Sequence, residues 1–91
     1  MKINDQMHSK HEAMAQILKA LAHPMRLWMV TQLTDGERCV CEFVKDTDVD
    51  FSTVSRHLTV LKQAGVVADE KRGKNVFYFL KVPCVTSFLG C

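Results

Sequence analysis

From about Ser9 onward, apolar residues fall at Met14, Ile17, Leu18 and Leu21. That spacing of i, i+3, i+4, i+7 predicts one stripe of a helix. His23-Pro24 breaks the pattern, because proline clashes with a continuing helix and suits the first turn of a new one. The second predicted helix runs from Pro24 to Leu33 with two apolar faces, Met25, Trp28 and Met29 on one and Leu27, Val30 and Leu33 on the other. Such a helix is expected to be central and buried. Thr34-Asp35-Gly36 stops it. A short third helix is predicted from Cys39 to about Lys45, with Val40, Phe43 and Val44 on its apolar side. An acidic turn, Asp46 to Asp50, leads to a fourth helix over Ser52 to Ala64, with an apolar stripe at Val54, Leu58 and Leu61. Gly65 suits its end. Val66 to Lys71 and Asn75 to Val82 have β character and are joined by Arg72-Gly73-Lys74, which predicts a hairpin. Pro83 closes the second strand, and Val85, Phe88 and Leu89 suggest a final short helix. The polar opening, residues 1–8, is expected to fray.

The predicted order is α-α-α-α-β-β-α: mostly α, with a two-stranded β-hairpin. It is the order of a winged helix-turn-helix. A chain of 91 residues suits a single domain whose own core is marginal. It is 47% hydrophobic and 24% charged, which argues for a folded protein. No apolar run approaches the ~20 residues of a membrane span. The opening Met1-Lys2-Ile3-Asn4-Asp5-Gln6 lacks a signal-peptide core, so a cytosolic protein is expected.

Charge sharpens the picture. Residues 35–50 are acidic, whereas residues 51–82 carry Arg56, Lys62, Lys71, Arg72, Lys74 and Lys81 against only Asp69 and Glu70. A basic third quarter is what a polyanion-binding surface needs, although an ordinary solvated face reads the same on charge alone. The fourth helix adds chemistry. Opposite its apolar stripe lie Ser52, Ser55, Arg56 and Thr59. Ser52, Thr53, Ser55, Arg56 and His57 at its start are small or hydrogen-bonding, as entry into a major groove ~12 Å wide requires. Lys71, Arg72 and Lys74 at the hairpin tip are placed to meet adjacent phosphates. Double-stranded DNA is therefore the expected partner. No convergent acid–base pair or nucleophilic triad is present, so an enzyme is not expected.

Four cysteines remain: Cys39, Cys41, Cys84 and Cys91. In a reducing compartment they read as thiols or ligands rather than as a disulfide framework. Soft thiolates select thiophilic ions. Cys39 and Cys41 stand at i and i+2, ~200° apart on a helix, so one ion takes both sulfurs only where that first turn is not helical. Two core-facing small hydrophobes are the plainer alternative. Cys84 and Cys91 are seven apart, which on a helix separates them by ~10 Å. His8 and His11 have a metal-compatible spacing in a segment expected to be solvated.

Leu18-Lys19-Ala20-Leu21-Ala22-His23-Pro24-Met25-Arg26-Leu27 resembles the opening motif of the ArsR/SmtB family of metal-responsive repressors. Ser52-Thr53-Val54-Ser55-Arg56-His57-Leu58, with Leu61-Lys62-Gln63-Ala64-Gly65-Val66-Val67, resembles its recognition helix, and Lys71-Arg72-Gly73-Lys74 with Tyr78 its wing. Glu37-Arg38-Cys39-Val40-Cys41-Glu42-Phe43 is similar to the sensor motif of its arsenic/antimony members and of a cadmium/lead branch. The resemblance implies a homodimer on an imperfect palindromic operator, released when As(III) or Sb(III) binds Cys39 and Cys41, with Cd(II) or Pb(II) as the alternative inducers. It departs from the arsenic pattern at Val44, where some members carry a third cysteine. A third sulfur then comes from Cys84, Cys91 or outside the chain. The zinc/nickel branch uses Asp and His near the C-terminus, and residues 83–91 hold neither. A different class is a thiol-rich metal-binding or redox protein that does not bind DNA; the basic wing and the Ser/Thr/Arg face oppose it.

Overall fold

The structure, a computed structural model, describes residues 5–81, with side chains from residue 7 onward. The order is α1 (Asp5–Leu21), α2 (Pro24–Leu33), β1 (Arg38–Cys39), α3 (Val40–Asp46), α4 (Phe51–Gln63), β2 (Val67–Arg72) and β3 (Asn75–Leu80). This is a winged helix-turn-helix with four helices and a three-stranded antiparallel sheet. The final predicted helix, Cys84 and Cys91 lie outside the described residues.

Local chemistry sets the helix ends. His23, extended at the N-cap of α2, accepts the Met25 N–H on Nδ1 at 3.1 Å, and Pro24 fills the first helical position. α4 ends in a Schellman motif. The Val66 N–H reaches the Leu61 carbonyl at 3.0 Å and the Gly65 N–H reaches that of Lys62 at 3.0 Å, with Gly65 at φ +83°. A side chain at position 65 would strain that backbone. The wing turn is two residues, Gly73-Lys74, flanked by the pair Arg72 and Asn75. Gly73 has φ +62° and no non-glycine residue among those described has positive φ, which is the pattern of a type II′ turn.

Four expectations are corrected. α1 begins at Asp5, four residues before the expected start near Ser9, because no Gly or Pro interrupts residues 5–21; polarity there decides exposure, not conformation. The two-stranded hairpin forms as β2-β3, but the sheet has a third strand that was not expected: β1 pairs with β3, so the order is β1-β3-β2. Cys39 is therefore a strand residue and the N-cap of α3, and the helix starts one residue later than the apolar pattern implied. Finally, α2 buries Met29, Val30 and Leu33 but leaves Leu27 exposed.

The core lies where α2, α3, α4 and the sheet meet. Phe43, Val54, Leu58, Leu61, Val66 and Met29 have no exposed surface. Trp28 packs edge-on to Phe43, ring centres 5.9 Å apart. α1 contributes Ala20 and Leu21, while Met14 and Leu18 of its stripe stay exposed. Arg26 ties the helices together: its Nε donates to the Ala20 carbonyl at 2.6 Å and its Nη1 lies 3.4 Å from His57 Nδ1.

Candidate nucleic-acid interface and thiol site

α3, the turn over residues 47–50 and α4 form the helix-turn-helix. Val54, Leu58 and Leu61 anchor α4 in the core. That leaves Ser52 and Arg56 fully outside and Ser55 half-buried. Among the described residues Arg56 has no ion-pair or hydrogen-bond partner, so its guanidinium is free for an anion. Lys71 and Lys74 are likewise exposed and unpaired on the wing.

Three of the expected DNA contacts are engaged inside the protein. The Thr53 hydroxyl donates to Asp50 Oδ1 at 2.6 Å, which holds the Asp50 carboxyl below its usual range. The His57 ring faces the start of α2, 4.5 Å from the His23 ring centre. Burial lowers its pKa from the ordinary value, with the nearby charges of His23, Arg26 and Arg56 acting in the same direction. Arg72 forms a two-pronged ion pair with Glu37, one arm at 2.9 Å, and also meets Glu70 Oε2 at 2.9 Å. Its guanidinium carbon sits 5.0 Å from the Phe77 ring centre. These carboxylates raise the Arg72 pKa, and Arg72 lowers that of Glu37. Glu37 stands 35 residues from Arg72, so no local pattern announces the pair.

The thiol segment lies at the foot of the wing. Arg38 pairs with Tyr78 and Cys39 with Phe77. Cys39 is extended (φ −83°, ψ 160°) and nearly buried, whereas Cys41, one residue into α3, is exposed. The two Cα atoms are 5.3 Å apart, and the strand-to-helix kink turns the side chains toward each other, so that the sulfurs are joined in a disulfide. The expectation of free thiols is corrected here, because compartment chemistry says nothing of local geometry. The same kink removes the ~200° separation that a continuous helix would impose, so no unwinding is needed for both sulfurs to meet one ion once reduced. Glu42 Oε1 accepts the Cys39 N–H at 3.3 Å and steadies this turn. A cavity of about 100 Å³ adjoins the pair, lined by Cys39, Val40, Cys41, Phe51, Lys74, Asn75 and Val76.

As a metal site the described residues supply two sulfurs. No group of three or more His, Cys, Asp or Glu is gathered among them. Val44, where a third cysteine would sit, is half-buried. His8 pairs with Glu12 at 3.5 Å and His11 with the Met7 carbonyl at 2.6 Å, so these histidines do not converge. Reduced, the soft pair fits a thiophilic ion that takes its remaining donors elsewhere. No described helix is long and apolar enough to cross a membrane.

The fold and this interface define a winged helix-turn-helix of the DNA-binding class with a cysteine pair beside its wing. Residues 23–69, just over half of the chain, match the family described as "Bacterial regulatory protein, arsR family", and the chain belongs to it. It is 45% identical over 69 residues to the HTH-type transcriptional repressor SmtB of Mycobacterium tuberculosis, covering 76% of this chain and 51% of that protein. It is 41% identical over 66 residues to the arsenical resistance operon repressor of Escherichia coli, covering 71% of this chain and 56% of that one. The chain thus spans about half the length of these curated relatives. Among solved structures it superposes with a TM-score of 0.84 and 30% identity on HlyU of Vibrio cholerae, covering 92% of this chain and 91% of that one. A TM-score of 0.87 and 27% identity relate it to the homodimeric winged helix-turn-helix DNA-binding domain of Mb0332 from Mycobacterium bovis, covering 97% of this chain and 82% of that one. SmtB and the arsenical resistance operon repressor are named as repressors and Mb0332 as a possible transcriptional regulator, not as enzymes.

Proposed function

We propose that the chain is a dimeric transcriptional repressor that binds operator DNA through α4 and the wing and leaves it when As(III) or Sb(III) engages Cys39 and Cys41. The observation that carries this reading is the position of the sulfur pair: one sulfur on the strand paired with the wing, the other on the first turn of the helix-turn-helix. An ion held there is bonded to the strand that pairs with the wing and to the helix that leads into α4. Ser52, Ser55, Arg56, Lys71 and Lys74 are the groups free to meet DNA; Thr53, His57 and Arg72 are engaged within the protein. Exposed Met14 and Leu18 on α1 favour a second copy of the chain as dimer partner, and one structural relative is a homodimer.

Reduced protein titrated with As(III), Sb(III), Cd(II), Pb(II) and Zn(II) while operator binding is followed by anisotropy tests the reading. Arsenite or antimonite is expected to release wild type but not Cys39→Ser or Cys41→Ser, both of which should still bind DNA. Release of the double variant Cys39→Ser/Cys41→Ser would refute it. Ligation consumes thiolates, so the response should strengthen as pH rises through the thiol range. A second reading has one observation behind it: the Cys39–Cys41 bond makes the same site an oxidation sensor. Operator binding that changes between reduced and oxidised protein with no metal present would favour it.

A further inference from the structure

Phe51 is the first residue of α4 and is 60% exposed, more than any other large hydrophobic residue described. Of the other exposed large apolar residues, Met7, Met14 and Leu18 lie on α1 and Leu27 on α2. Phe51 stands apart from them, beside Ser52, Ser55 and Arg56. Burying a phenylalanine is worth ~1.5–3 kcal/mol, yet this ring is left largely in water. It borders the cavity beside the cysteine pair, and Lys74 of the wing lines the same cavity. Ring and wing cation therefore share one edge of the molecule.

In a helix-turn-helix the N-terminal residues of the second helix reach base edges in the major groove. Those edges are polar, with one exception: the 5-methyl group of thymine. An aromatic ring at that position, with a wing cation suited to phosphate beside it, has one matching surface in duplex DNA. We propose that Phe51 is a base-reading residue that packs on a thymine methyl in each operator half-site. The inference rests on the reading that α4 and the wing bind DNA, and it assigns a sequence preference that the polar residues do not supply.

The test starts with the full-length chain and a randomised duplex pool, from which bound sites are selected. Affinity is then measured on the selected duplex and on copies in which each half-site thymine in turn is replaced by deoxyuridine, which removes only the methyl. Wild type is expected to lose about fourfold at one thymine per half-site, the worth of one buried carbon group, and about 15-fold when both half-sites are changed. Phe51→Ala should bind the thymine duplex more weakly and be indifferent to the replacement. Phe51→Leu, which keeps an apolar side chain, should retain part of the discrimination. Wild-type indifference at every thymine overturns the proposal while DNA binding stands, as does full discrimination in Phe51→Ala. A ring buried instead by a second copy would appear as altered sedimentation of Phe51→Ala without any methyl effect, and also overturns it. Failure to select any duplex refutes the DNA-binding reading itself, and the assignment of Phe51 with it.

Discussion

Arg72 and Lys74 are both wing cations, yet only Lys74 should contribute to the salt dependence of DNA binding. Lys74 has no partner among the described residues, whereas Arg72 is held by Glu37 and Glu70 and lies against Phe77. Each phosphate neutralised by a protein cation contributes about 0.9 to the slope of log K against log salt. Lys74→Ala removes one such contact per wing, so a dimer should lose about 1.8 from its slope. Between about 50 and 200 mM salt that amounts to about a tenfold smaller drop in affinity than wild type shows. Arg72→Ala should leave the slope unchanged, because its charge is already matched inside the protein. Glu37→Gln supplies the converse: it loosens the guanidinium, and the slope should steepen toward one further contact per wing. Fluorescence anisotropy with a labelled operator at four or more salt concentrations reads all three. If Arg72→Ala flattens the slope as much as Lys74→Ala does, the guanidinium leaves its carboxylates on DNA binding and the reasoning fails.

Phe43→Ala should destabilise the fold by about 3–5 kcal/mol, since a ring with no exposed surface and an edge contact to Trp28 is lost; urea unfolding would show the shift against a typical total of about 5–15 kcal/mol. The lowered pKa of His57 means the unfolded chain binds its proton first. Stability should therefore be full above about pH 6.5 and fall as pH drops through the folded-state value, and His57→Gln should flatten that fall in thermal melts taken across the range. Leu18→Glu, on the exposed stripe of α1, should shift sedimentation toward monomer and abolish tight operator binding without unfolding the chain; an unchanged dimer would place the interface elsewhere.

Much of the fold was legible along the chain. Pro24 after a capping His23 marked the start of α2, the Val54, Leu58 and Leu61 stripe marked α4, and Gly73 marked the wing turn. β1 was not legible, because two residues are too few to show alternation; Arg38 and Cys39 are extended only by virtue of their pairing with Tyr78 and Phe77. That one miss hid the geometry of the cysteine pair, which depends on the strand-to-helix kink. The roles of His57 and Arg72 were hidden for a related reason. Each shows its chemistry in the sequence, but its partners, His23 and Arg26 for one and Glu37 for the other, come from distant segments. Residue type announced the cations; only the packing decides which of them are spent internally.

The short strand β1 also bears on how such a sensor can be retuned. Its tie to the wing runs through main-chain pairing at Arg38 and Cys39, which is indifferent to what the side chains coordinate. Position 41 is exposed, so it can accept a larger donor such as histidine or aspartate at little packing cost, whereas the nearly buried position 39 admits only small ones. On the proposed reading, exchanging the donor at 41 would alter which ion is captured while leaving Ser52, Arg56, Lys71 and Lys74 in place. A reporter built on this chain could thus change its analyte and keep its promoter, with the strand acting as a socket and residue 41 as the interchangeable part.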